Sequence, residues 1–221
     1  MIKNIFYFII LFTFFCYLKS NAQSDTVKNK PFTFFKIGID LAKLGASFLQ
    51  PNYRVAEFQF EANGKKTTNY LIETGLSSSK TNNDYINFKS STYFLRVGLD
   101  KNFFSSEYFG DKDNAFAGFR YAGAFVKNNA GTYIIKNPLW GNQTGVFDGY
   151  SFYAHWIELT GGFKVEVKQN IFLGWTIRGK TLLNGKNVKQ HLPAYIAGYG
   201  NAEKQPAFDY NFYLLYSIGK R

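Results

Sequence analysis

Apolar and polar residues alternate with period two in eight separate segments of this chain, the first of which follows Pro31. Such alternation predicts a β-strand whose two faces differ in chemistry. We find no stretch with helical spacing that competes with these segments, so the predicted fold class is all-β. The predicted strands are 32–42, 53–63, 67–77, 91–101, 114–126, 151–168, 170–182 and 207–219.

The connections between the predicted strands alternate in length. Segments 63–66 and 168–170 have the residues of tight hairpin turns. Small outer-membrane barrels have short turns on the periplasmic side and long loops outside. The sequence therefore predicts an eight-stranded antiparallel up-and-down transmembrane β-barrel over residues 32–221. The predicted outer loops are 43–52, 78–90, 127–150 and 183–206.

One face of the predicted strands is apolar and aromatic, and the other carries most of the charged residues. A soluble lipocalin-like barrel would turn the apolar face inward. However, an eight-stranded barrel has little interior room for large side chains, and Gly38, Gly75 and Gly98 on the charged face would leave space for long ones. We therefore expect the apolar face to point outward to lipid, and the reverse orientation would contradict the whole prediction.

The first residues have the pattern of an exported protein. A basic start, an apolar run over 5–17 and a small-residue cleavage site predict a signal peptide at 1–22, followed by a short periplasmic leader at 23–31. The alternative is a transmembrane anchor, but the apolar run is shorter than the roughly 20 residues that a spanning helix needs. The single cysteine, Cys16, lies inside this segment.

Charge and composition narrow the partners. The chain has 26 Lys and Arg against 15 Asp and Glu, for a formal net charge of +11, which favours anionic neighbours. Basic residues form no long run, so we expect no nucleic acid and favour outer-membrane lipid and lipopolysaccharide. With one Cys and two His residues, the sequence predicts no transition-metal site and no cofactor.

Several charged residues of the inward face lie near the middle of their strands. Buried charges must pair, so we expect a structural ion-pair network that closes the lumen, with a narrow ion path as the alternative. A lumen closed in this way would not admit a substrate, and no enzyme is predicted. The predicted network comprises Glu57, Glu73, Glu158, Arg96, Arg120, Arg178, Lys36 and Asp40.

The predicted outer loops carry a second set of candidates. They would contact anionic lipid or a ligand, although they could equally be solvated charges. The aromatic 195–199 stretch is typical of ligand binding or of packing among the loops. His155 is expected at the outer rim and His191 in the last loop, and neither is assigned catalysis. The candidates are Lys80, Lys89, Lys136, Lys186, Lys189 and Trp140.

Five short stretches carry a family resemblance: 37–41, 73–75, 118–121, 156–159 and 173–175. They resemble a family of small, uncharacterised outer-membrane β-barrels of Gram-negative bacteria, similar in plan to OmpA-like and OmpW-like eight-stranded barrels. The resemblance implies location in the cell outer membrane and insertion by the barrel-assembly machinery, with no activity to inherit. Many such barrels end on an aromatic residue, whereas this chain ends Ile-Gly-Lys-Arg.

The sequence thus predicts a non-enzymatic integral outer-membrane barrel whose lumen is closed by Glu/Arg ion pairs. Its extracellular loops are expected to bind lipopolysaccharide, a ligand or a surface partner. Two alternatives stay open: a narrow, porin-like channel for small solutes or ions, and a soluble periplasmic lipocalin-like carrier of an apolar ligand.

Overall fold

A computed structural model describes residues 35–50, 52–64, 67–103, 113–136, 139, 141–189, 195–203 and 205–219. All of them belong to one compact unit, Pro31–Arg221. The predicted signal peptide and leader lie outside the described residues.

The described chain is built mainly of β-strands. In chain order they are β1 Phe35–Asp40, β2 Tyr53–Asn63, β3 Thr68–Asn82, β4 Ile86–Asn102, β5 Asn114–Asn128, β6 Gly131–Ile135, β7 Gln143–Phe147, β8 Tyr150–Lys168, β9 Ile171–Leu182, β10 Tyr195–Ile196, β11 Gly200–Asn201 and β12 Ala207–Ile218. Strands β1, β2, β3, β4, β5, β8, β9 and β12 pair in that order, each antiparallel to the next, and pairing of β12 with β1 closes the ring. The predicted eight-stranded antiparallel up-and-down barrel is confirmed.

The barrel has two different ends. At the turn end, β2 connects to β3 and β8 to β9 by short turns, and Asn170 takes the positive φ of 66° that such a turn requires. At the loop end lie the connections that follow β1, β3, β5 and β9. The predicted long loop 78–90 is wrong, because β3 and β4 continue as a paired hairpin to Asn82 and Asn87.

Two short helices occupy predicted loops, and the fold remains nearly all-β. Helix α1 spans Leu41–Leu49, inside the predicted loop 43–52, and helix α2 spans Gly185–Lys189. Asp40 caps α1, since its carboxylate accepts hydrogen bonds from the backbone N–H groups of Ala42 at 2.8 Å and Lys43 at 3.1 Å. No helix among the described residues is both long and apolar enough to cross a membrane.

The strands place their apolar face outward and their charged face inward. Phe60 on β2 is 44% exposed, whereas the next residue, Glu61, is 1% exposed. On β4 the same contrast separates Leu95, at 52%, from Arg96, at 0%. Adjacent residues of a strand point to opposite faces, so the predicted orientation is confirmed for these strands.

Candidate functional site

Arg96 lies at the centre of a buried cluster of charges inside the barrel. It projects from β4, and its Nη1 lies 3.1 Å from Glu57 Oε2 and 3.0 Å from Glu73 Oε2. Its Nε lies 3.0 Å from Glu158 Oε1. One guanidinium on β4 therefore joins carboxylates from the neighbouring hairpin β2–β3 and from β8, which is far away along the chain.

Two further arginines complete this central cluster. Arg178 on β9 contacts Glu158 and Glu73, each at 2.9 Å, and Arg120 on β5 contacts Glu73 at 3.3 Å. Glu73 thus receives all three guanidinium groups. The six predicted mid-strand residues are brought together, and each is at most 2% exposed.

The other two predicted network residues lie in different surroundings. Lys36 belongs to a second cluster nearer the turn end, where Glu61 contacts Lys36 at 3.4 Å and Lys164 at 2.5 Å. Lys164 also contacts Asp100 at 3.1 Å, and Asp100 contacts Arg120 at 2.6 Å, which links the two clusters. Asp40 caps helix α1 and accepts a hydrogen bond from Asn211.

A short hairpin from the last connection, β10–β11, lies inside the loop end of the barrel. At its tip, the backbone oxygen of Gly198 accepts hydrogen bonds from Arg96 Nη2 at 2.8 Å and from Lys180 Nζ at 2.6 Å. Tyr199 packs edge-on against Trp156, with ring centroids 5.6 Å apart. This segment was predicted as part of an outer loop; the structure turns it inward instead.

Small side chains make room for this hairpin. Ala122 and Ala124 on β5 and Ala154 on β8 point inward at the loop end, where they form a buried apolar cluster with the hairpin residues Ile196 and Ala197. Alanines at inward positions, where the same strands carry charges nearer the middle, are the sequence signal that could have revealed an inserted segment.

Helix α1 and the hairpin are both tied to the barrel wall at the loop end. Lys43 Nζ lies 2.8 Å from the carboxylate of Asp209 on β12, and the hydroxyl groups of Tyr53 and Tyr195 lie 2.7 Å apart. Burial lowers the pKa of Lys43, but the Asp209 and Glu57 carboxylates outweigh this effect and raise it above the usual value. A cleft of about 650 Å³ opens beside these residues, and Lys80 contributes to its lining.

The residues predicted to contact anionic lipid or a ligand lie in separate parts of the structure. Lys80 on β3 and Lys89 on β4 are exposed and stand directly opposite each other. Lys136 instead pairs with Asp84 at 3.3 Å and lies over the ring of Tyr85. Lys186 is exposed on helix α2. Trp140, His191 and the side chain of Lys189 lie outside the described residues.

His155 lies on the outward face of β8, opposite Gly123 of β5. Its Nδ1 is 3.2 Å from the Tyr121 hydroxyl, and its backbone N–H donates to Asn184. Within the described part of the chain, no group of three or more His, Cys, Asp or Glu side chains is arranged to hold a metal ion.

One protein-family model, described as "Domain of unknown function (DUF6048)", matches residues 1–219. No curated protein matches the chain.

Proposed function

The chain belongs to the DUF6048 family, and for this member we propose the role of a non-enzymatic integral barrel of the outer membrane. Its interior is closed by the central ion pairs and by the β10–β11 hairpin. Its outer surface binds lipopolysaccharide.

The observation that carries this proposal is the apolar outer wall. Large side chains point away from the barrel on all eight wall strands, and many are about half exposed. A water-soluble protein rarely exposes an apolar patch of more than a few hundred Å², whereas a bilayer requires one around the whole barrel. Examples from successive wall strands are Ile37, Phe60, Ile72, Val97, Tyr121, Leu159, Ile177 and Tyr216.

The strand lengths and the charge distribution support a membrane-spanning barrel. β5 has 15 residues and β8 has 19, and about 9 to 11 residues suffice for a tilted strand to cross a bilayer. A lysine or arginine facing lipid at the midplane costs roughly 2 to 4 kcal/mol. The outward lysines of β4 and β5 are accordingly at strand ends: Lys89 and Lys101 on β4, and Lys127 on β5.

Two layers inside the barrel support a closed lumen. The central arginines and glutamates form one layer, and the hairpin packed among the alanines forms the next layer towards the loop end. The carboxylates of the central cluster are engaged by guanidinium groups and shielded from solvent, which supports a structural role and gives a substrate no access.

The same geometry disfavours the two alternative functions predicted from the sequence, a soluble carrier and a narrow channel. A soluble carrier needs an apolar cavity inside a polar wall, and the observed wall is the reverse. A narrow channel needs a continuous path, and the central arginines are at most 2% exposed. We expect no steady conductance from the inserted protein in a planar bilayer. A steady current would reject the closed lumen and favour the narrow channel.

Two tryptophans on opposite faces of the wall provide the test of membrane insertion. Trp175 points outward from β9 and is 44% exposed, whereas Trp156 points inward from β8 and is 0% exposed. The Trp140→Phe/Trp156→Phe variant leaves Trp175, and the Trp140→Phe/Trp175→Phe variant leaves Trp156. In bilayers of lipids brominated on the acyl chains, we expect strong quenching of Trp175 and little of Trp156.

Fractionation of the unaltered chain is the companion measurement, because it does not depend on how the variants fold. We expect the chain in the outer-membrane fraction, extractable by detergent and not by salt. Recovery in the soluble fraction, or equal quenching of both tryptophans, would reject the proposal.

A further inference from the structure

A row of basic and hydroxyl side chains runs across five neighbouring strands at the loop end. Arg54 stands opposite Ser78, Ser78 opposite Ser91, Ser91 opposite Lys127, and Lys127 opposite Ser151. Their positions alternate with buried inward residues, so the row faces outward. Neighbouring strands lie about 4.8 Å apart, and the five side chains therefore form one contiguous band.

The next outward row towards the turn end is wholly apolar or aromatic. Ala56, Leu76, Tyr93, Phe125 and Tyr153 stand opposite one another in the same strand order. The rings of Phe125 and Tyr153 lie 4.9 Å apart. Two residues of a strand span about 7 Å, so the wall changes from aromatic to cationic within one step.

One step further towards the loop end, two lysines face each other. Lys80 and Lys89 are directly opposite on β3 and β4. Like charges in this position destabilise a sheet. Among the described residues, no carboxylate lies within 4 Å of the side-chain nitrogens of Arg54, Lys80, Lys89 or Lys127, in contrast to Lys136, which pairs with Asp84. Arg54 donates one hydrogen bond, from Nη1 to the backbone oxygen of Ser47 at 3.2 Å, but this partner is neutral. The four cations are therefore arranged for an anion that the described residues do not supply.

The chemistry and position of the cluster select phosphate. Lysines bind phosphate as point charges, arginine by paired N–H groups, and serine hydroxyls add further donors. An aromatic row immediately below is typical of the level where lipid headgroups begin. A ligand that places phosphate groups beside acyl chains would satisfy both rows at once.

We propose that the outward wall of β2–β5, made of Arg54, Lys80, Lys89 and Lys127 with Ser78 and Ser91, binds the phosphate groups of the lipid A part of lipopolysaccharide. This inference rests on the proposed function and narrows its lipid contact to the wall of the barrel. Lys136 and Lys186 are not part of the site.

Binding of purified lipid A to the full chain in neutral detergent micelles tests the site. The test variant is Lys89→Gln/Lys127→Gln. The matched control is Lys101→Gln/Lys168→Gln, which removes two exposed lysines at the turn end. Each lysine near an anionic surface strengthens binding to it, so we expect the test variant to lose roughly tenfold or more in affinity and the control to match the unaltered chain.

Three probes separate the sources of phosphate: diphosphoryl lipid A, the same lipid without phosphates, and inorganic phosphate. The proposal expects tight binding of the first, weak binding of the second, and no competition from millimolar amounts of the third. Equal binding of both lipids, full competition by inorganic phosphate, or unchanged affinity in the test variant would each overturn it. Failure of the proposed function would instead appear as a chain that does not enter membranes at all.

Discussion

Arg96 donates a hydrogen bond from Nη2 to the backbone oxygen of Gly198, with the two atoms 2.8 Å apart. The same guanidinium contacts Glu57, Glu73 and Glu158. One side chain thus joins the central ion-pair cluster to the hairpin that occupies the loop end of the interior. The ion-pair cluster and the hairpin are therefore expected to stabilise each other. Variants at Arg96 and at Gly198 test each of them.

Replacement of Arg96 by methionine removes the charge that three buried carboxylates share. Removal of one partner from a buried ion pair is strongly destabilising, by about 3 to 5 kcal/mol, because uncompensated charge is left behind. We expect a loss of this size in the free energy of unfolding, measured by denaturant titration of the detergent-solubilised chain. The control is Lys101→Met, since Lys101 is exposed on β4, the strand that carries Arg96.

A double variant that also changes a carboxylate tests the cause of this loss. Arg96→Met combined with Glu158→Gln removes one cation and one anion together, so we expect it to be less destabilised than the sum of the two single variants. Strict additivity would show that the Arg96 loss comes from packing and not from unpaired charge.

The hairpin itself is tested at Gly198, which has a φ of +79°. A Cβ there would lie 2.9 Å from Phe94 Cγ and 3.0 Å from Arg96 Nη2. Gly198→Ala should therefore displace the hairpin, with faster amide hydrogen exchange over residues 195–202. Gly141→Ala is the matched control, since Gly141 has a similar φ of +78° and no atom within 4 Å of an added Cβ. If each variant accelerates hydrogen exchange around its own position to the same extent, backbone strain alone explains the effect.

The barrel wall was predictable because it obeys one simple rule. A strand with an apolar outer face and a charged inner face must alternate apolar and polar residues, and β2 and β9 follow the predicted bounds within a residue. The central cluster was also predictable, since Arg96 and Glu73 lie in mid-strand on the inward face. Long-range partners such as Glu57 and Arg96 needed the closed ring before their contact could be described.

The loop end was predicted less well, because its structure depends on tertiary contacts. Helix α1 begins after its N-cap, Asp40, whereas the alternating pattern predicts that the first strand continues to residue 42. The inserted hairpin has only two residues in each strand, too few for a periodic pattern. The outward cationic row was not recognised, since Arg54 on β2 and Lys127 on β5 fall in one row only through the register of β3 and β4 between them.

Lys43 offers a prediction on pH dependence. The Asp209 and Glu57 carboxylates hold the pKa of this helix residue above its usual value of 10.5, although burial alone would lower it. A raised lysine pKa means that the stabilisation is complete below the unfolded value and is lost as the pH rises through the folded value. The stability difference between the unaltered chain and Lys43→Met should therefore be constant from pH 7 to about 9.5 and shrink above about 10.5. A difference that grows with alkaline pH would contradict this assignment.

Replacement of Lys89, which faces Lys80 across β3 and β4, is predicted to change the free energy of unfolding in opposite directions without and with lipid A. Without lipid A, Lys80 and Lys89 repel each other across the strand pair, so Lys89→Gln should raise the free energy of unfolding by about 0.2 to 1 kcal/mol. With saturating diphosphoryl lipid A, the same variant should be the less stable protein, because it loses part of the phosphate contact that stabilises the unaltered chain. Thermal unfolding in neutral detergent, with and without the lipid, measures both signs. Lys101→Gln is the control, and it should show neither change. If Lys89→Gln is more stable in both conditions, the lysines repel each other without binding a phosphate, and the site on the wall of β2–β5 is rejected.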